Sequence, residues 1–139
     1  MRGEEVAISK DNQPVVKLVA FIWYTTDSSR LSITGRSLID NGDNEILLST
    51  ASVWEMAIKH SIGRLNFSLP FMEFVKQQIA VNRIEILEIS FDHIEVVASL
   101  PLHHRDPFDR LIIAQSMAEQ IPVLSVDAIF DAYAIARLW

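Results

Sequence analysis

Residues 103–115 read HHRDPFDRLIIAQ, with Asp106 and Asp109 on either side of Pro-Phe and directly ahead of an apolar run. Carboxylates at the start of a helix can do two kinds of work. An N-cap aspartate followed by a first-turn proline satisfies free amides, and an acid at the third helical position answers the helix dipole. The same side chains are hard oxygen ligands for a divalent cation. Capping accounts for both residues, but less well for an acid placed just before LIIA. Glu55, between Trp54 and Met56, carries a similar double reading. An ion pair with Lys59, four residues on, stabilises a helix by about 0.2–0.5 kcal/mol. Asp127 follows PVLSV (122–126), where a turn explains it. The carboxyl end of a buried strand is also where open α/β sheets gather ligands.

These acids need elements to hold them. EEVAIS (4–9) and PVVKLVAFIWY (14–24) are β-rich, with KDNQ (10–13) as the turn between them. Ser32 caps a short helix through Ile39, NGDN (41–44) is a break, and EILLS (45–49) is a short buried strand. Ser49 or Thr50 caps the helix ASVWEMAIKHSI, whose apolar face is expected to be Val53, Trp54, Ala57, Ile58 and Ile62, and Gly63 ends it. Pro70 opens a helix carrying Phe71, Phe74, Val75 and Ile79. IEILEIS (84–90) alternates as a strand, Ser90 caps FDHIEVVASL, and Asp106-Pro107 open a helix through about Glu119. IPVLSVD (121–127) is the last strand, and AIFDAYAIARLW is expected to end helical. Strands alternating with helices predict an α/β fold, a mostly parallel sheet covered on both faces.

The totals narrow the chemistry. At 139 residues, 50% hydrophobic and 22% charged, the chain suits one globular domain. It has no cysteine, which removes disulfides, thiolate zinc sites and thiol nucleophiles. The histidines show no metal spacing: His103 and His104 are adjacent, and His60 and His93 stand alone. No glycine-rich phosphate loop or nucleophile elbow is present, so no organic cofactor is expected. The apolar stretch 15–24 is too short to span a bilayer and is broken by Lys17. MRGEEVAISK lacks the plan of a signal peptide, so the expected location is the cytoplasm, away from membranes. A net charge of −6 argues against bulk capture of nucleic acid. It leaves open a nuclease whose acids are first neutralised by metal.

LLSTASVWEMAIKHSIGRL (47–65) and HHRDPFDRLIIAQSMAEQIPVLSVDAIFDAY (103–133) together closely resemble the PIN domain, and more narrowly the VapC-type toxins of type II toxin–antitoxin modules. The resemblance runs from about Ala20 to the C-terminus. It implies a three-layer α/β/α fold and Mg²⁺- or Mn²⁺-dependent endoribonuclease activity. By motif position it assigns the metal-holding, catalytic acids to Glu55, Asp109 and Asp127, with Asp106 and Ser125 in support. Crowded carboxylates repel unless cations separate them; a bound divalent ion can activate water and offset charge on the scissile phosphate. Implied partners are an RNA substrate, a cognate antitoxin and a second copy of the chain.

The first acid of the pattern is missing. Aligning on AFIWY (20–24) puts Lys17 where an aspartate is expected. If strand one keeps that register, the ammonium points at the remaining acids and takes over part of a metal's charge. Residues 3–19, GEEVAISKDNQPVVKLV, resemble the terminal β-hairpin of Phd/YefM-type antitoxins. The expected organisation is therefore an N-terminal extension (1–14), too short to bind operator DNA, and a PIN-like domain (15–139). The alternative to an impaired enzyme is an inactive toxin remnant that binds antitoxin or itself.

Overall fold

The structure, a computed structural model, describes residues 12–139. The strand expected over 4–9, and residues 3–11 of the antitoxin-like hairpin, lie outside the described residues. Among the described residues five short strands form one sheet: β1 (Val15–Val16), β2 (Leu47–Ser49), β3 (Glu85–Leu87), β4 (Val123–Leu124) and β5 (Arg137–Leu138). Their order is β3-β2-β1-β4-β5, and each neighbouring pair runs parallel. The α-helices that connect them are α1 (Leu18–Thr25), α2 (Ile33–Asp40), α3 (Thr50–Ser61), α4 (Phe71–Val81), α5 (Phe91–Ser99) and α6 (Pro107–Glu119).

Successive strand residues face opposite ways, and the core divides accordingly. Val16, Leu48 and Leu124 join Leu18, Phe21, Met56 and Val75 in one buried cluster. Val15 and Val123 join Ala51, Ile112, Ile113 and Phe130 in the other. The sheet thus carries helices on both faces, the expected α/β/α layering.

Local signals explain most boundaries. Ser32 Oγ accepts from Gly35 N–H at 2.9 Å, Ser49 Oγ from Ala51 N–H at 3.0 Å, and Ser90 Oγ from His93 N–H at 3.3 Å. Each hydroxyl satisfies an amide that the first turn leaves free. Gly63, at φ +80, takes the left-handed conformation just past α3.

Three expectations are corrected. The strand expected over 14–24 ends at Val16, and LVAFIWYT forms α1. A continuous apolar run hides its period, and here Leu18, Ala20 and Phe21 are buried at helical spacing. The C-terminal segment is not helical: after a 3-10 turn (Ala128–Ala132) it returns as edge strand β5. Arg137 anchors that return, with Nε and Nη2 on the Asp131 carboxylate at 2.9 and 3.0 Å and Nη1 on Ser125 O at 3.1 Å. Finally, α3 turns inward not its most apolar face but Ala51, Ser52, Glu55 and Met56. Trp54, Ile58 and Ile62 are exposed, and Val53 is partly buried. Among the described residues no helix is long and apolar enough to cross a membrane.

Candidate active site

The parallel register brings three strand ends together. Val16 pairs with Leu48 and with Leu124, so one further residue along each strand aligns Lys17, Ser49 and Ser125 at the carboxyl edge. Lys17 leaves β1 in extended conformation as the N-cap of α1, its N–H donating to Leu124 O at 3.0 Å. Ser49 starts α3, which carries Glu55 a turn and a half further on. Asp109 lies at the third position of α6, where Asp106 is the N-cap. Asp106 Oδ1 accepts from Phe108 N–H at 2.9 Å and Asp109 N–H at 3.2 Å. The cap is satisfied by Asp106 alone, which leaves the Asp109 side chain free to turn inward.

Glu55 and Asp109 meet across Lys17. The ammonium is 3.1 Å from Glu55 Oε1 and 2.8 Å from Asp109 Oδ1, and all three side chains are at most 10% exposed. The glutamate contact is a directed hydrogen bond. Asp109 Oδ1 receives no well-directed hydrogen bond, so charge attraction holds it to the ammonium. The second oxygens are also engaged: Lys59 Nζ lies 3.0 Å from Glu55 Oε2, and His104 Nε2 lies 2.6 Å from Asp109 Oδ2. A carboxylate only accepts, so the His104 proton in that bond sits on Nε2. Burial works against the charged form of Lys17, but Asp109 and then Glu55 outweigh it and raise its pKa above the ordinary lysine value. The lysine is a fixed positive charge.

The other expected residues stand further out. Asp127 is exposed and caps the 3-10 turn, its Oδ1 accepting from Ile129 N–H at 3.0 Å. Among the described contacts its carboxylate touches neither Glu55, Asp109 nor Lys17. Ser125 is buried, and its hydroxyl accepts from Asp127 N–H at 3.0 Å. The Glu55–Lys59 pair is the one the helical spacing predicts.

Two residues escaped the reading of the sequence. His104 carries no spacing signal, because its partner is reached through a loop and not along a helix. Arg110 follows Asp109 in the motif and binds four carbonyls: Pro101 O at 2.9 Å, His104 O at 3.3 Å, Leu100 O at 3.3 Å and Val97 O at 3.5 Å. It closes the end of α5 and holds the backbone of His104.

A divalent ion needs hard oxygens converging on one point. Among the described residues, His104, Asp106 and Asp109 each offer a ligand atom within 4.8 Å of the others. Between Glu55 and Asp109 the arrangement does not fit an ion: each of the four carboxylate oxygens already faces an ammonium or an imidazole.

A family model described as PIN domain matches residues 19–136. Comparison with curated proteins gives no match. Among solved structures, a chain of VapBC2 from Rickettsia felis bound to a promoter DNA fragment superposes with a TM-score of 0.66 at 14% identity, covering 91% of this chain and 97% of that one. A chain of a toxin–antitoxin complex from Klebsiella pneumoniae gives 0.62 at 12% identity, covering 91% and 96%. At those identities the likeness is one of fold.

Proposed function

The chain belongs to the PIN-domain family, and from that premise we propose that it is a VapC-like protein of endoribonuclease type whose cleavage of RNA is suppressed by Lys17. Glu55, Asp109 and Asp127 are the acids of the cleavage site in this reading, with Asp106 and Ser125 in support. The toxin assignment is supported by the fold shared with chains of toxin–antitoxin complexes over 91% of the sequence. It draws further support from the paired motifs around Glu55 and Asp109. A cognate antitoxin and a second copy of the chain are the proposed protein partners.

A single observation carries the suppression: Lys17 Nζ lies 3.1 Å from Glu55 Oε1 and 2.8 Å from Asp109 Oδ1. Phosphodiester hydrolysis on such acids depends on Mg²⁺ or Mn²⁺, which activates water and offsets charge on the phosphate. An ammonium supplies one positive charge but cannot coordinate and acidify a water. With Lys17 in place the acids are held and neutralised, and the cleavage chemistry has no place to start.

The test is cleavage of a generic single-stranded RNA in Mn²⁺, with and without chelator, by the native chain and by Lys17→Asp. The native chain is expected to cleave near background and Lys17→Asp to gain chelator-sensitive cleavage. Equal metal-dependent cleavage by both refutes suppression. Absence of cleavage from both removes the enzyme reading. The second reading, an antitoxin-binding remnant, then stands; the exposed apolar residues Trp54 and Ile58 on α3 and Ile62 at its C-cap favour it.

A further inference from the structure

The carboxylates of Glu55 and Asp109 form a closed charge balance with their neighbours. Two buried negative groups face two lysines, Lys17 and Lys59, and the fourth oxygen takes the imidazole N–H of His104. A buried group of this kind is stable only while charge is paired and lone pairs are used. Adding a doubly charged ion would leave the pocket with excess positive charge and press the ion against the Lys17 ammonium. Removing the lysine would have the opposite result. One negative charge would stand uncompensated, Glu55 Oε1 and Asp109 Oδ1 would turn toward an empty space, and both oxygens are hard donors.

We propose that Lys17 is a built-in counter-ion standing in the place of a divalent cation: the native chain binds no Mg²⁺ or Mn²⁺ between Glu55 and Asp109, and loss of the lysine side chain opens a latent metal site there. The strand register supports this. Lys17 occupies the carboxyl end of the central strand, so its ammonium enters the cluster from the sheet while Glu55 and Asp109 approach from α3 and α6. The inference rests on the PIN-domain reading only for the choice of ion, and its readout is metal binding, not RNA cleavage. Failure of the cleavage assay therefore leaves it standing.

The experiment compares the native chain with Lys17→Ala, which removes charge and bulk, and Lys17→Met, which removes charge but fills the space. Bound Mn²⁺ is followed by loss of its free electron paramagnetic resonance signal, and Tm is measured with Mn²⁺ and with chelator. The native Tm is expected to be the same in both. Lys17→Ala is expected to be less stable in chelator, to recover in Mn²⁺, and to bind Mn²⁺ at least about tenfold tighter than the native chain. Adding Glu55→Gln to Lys17→Ala should abolish that gain, and Lys17→Met should lose stability without Mn²⁺ rescue. If Lys17→Ala unfolds in chelator, it should refold when millimolar Mn²⁺ is added. Native Mn²⁺ binding that Glu55→Gln removes would overturn the proposal. So would a Lys17→Ala chain, folded or unfolded, that Mn²⁺ neither binds nor stabilises.

Discussion

Ser49 Oγ donates to Gln115 Oε1 across 2.6 Å, joining residues that lie 66 positions apart. Ser49 ends β2 and caps α3, whereas Gln115 lies in the middle of α6. The Gln115 amide also donates to Leu87 O at 3.3 Å and Glu88 O at 3.4 Å, at the end of β3. Both residues are fully buried. This small network fixes the helix carrying Glu55 against the helix carrying Asp109, which is why two acids so distant in sequence share one lysine. Gln115→Leu keeps the side-chain volume but takes the acceptor from the Ser49 O–H and the amide donor from the strand-end carbonyls. The expected cost is about 1–3 kcal/mol, the penalty for buried polar groups left unsatisfied. Urea unfolding with an unchanged slope measures it, and a loss too small to resolve would show the network to be dispensable.

Arg110 does the comparable work for the loop. Its guanidinium reaches the last carbonyls of α5 and the backbone of His104. A cation at a helix C-terminus meets both unsatisfied carbonyls and the negative end of the dipole. Arg110→Met should therefore lower stability by about 1.5–3 kcal/mol, the range for hydrogen bonds to a charged group. It should also free the His104 loop. Faster amide exchange over residues 100–106, relative to α3, is the reading that separates this effect from general destabilisation.

Helix α3 marks where the sequence was and was not legible. Its existence, its Ser49 cap and its Gly63 stop are local chemistry and could be read directly. Its orientation could not. A 3.6-residue period fits both the stripe of Trp54, Ile58 and Ile62 and the stripe of Ala51, Ser52, Glu55 and Met56. Hydrophobicity alone selects the first, but small residues that let the helix lie close to the sheet, and a glutamate with a buried lysine waiting for it, select the second. The same limit applies to α1, where unbroken apolarity fits strand or helix, and to His104, whose partner lies across a loop. The paired motifs point to Glu55 and Asp109, and the register of AFIWY against the expected aspartate points to Lys17; the structure brings these three side chains together. Asp127 was placed by the same motifs, yet its carboxylate serves the 3-10 turn in this structure. The orientation of α3 makes a contrast that can be measured. Met56→Ala, at a fully buried position, should cost about 2–5 kcal/mol. Ile62→Ser, at a position 61% exposed, should stay within about 0.5 kcal/mol. Equal losses would mean that the two stripes are wrongly assigned.

Tyr24 ties α1 to α2, its hydroxyl donating to Asp40 Oδ1 at 2.7 Å. Partial burial, followed by that hydrogen bond and the negative charge of Asp40, pushes the phenol up from its ordinary 10.0 to about 12; Arg36, 5.7 Å from the ring centre, pulls weakly the other way. The folded protein thus holds the proton more tightly than the unfolded chain does. The stability this contributes is complete below pH 10 and is lost as pH climbs through about 12. Phenolate absorbance after a rapid pH jump, read before unfolding, should show a late ionisation that Tyr24→Phe deletes. Asp40→Asn should bring it to lower pH by removing both the charge and the charged acceptor. A late phase that survives Tyr24→Phe, or one that Asp40→Asn fails to move, would show that the α1–α2 contact does not control this proton.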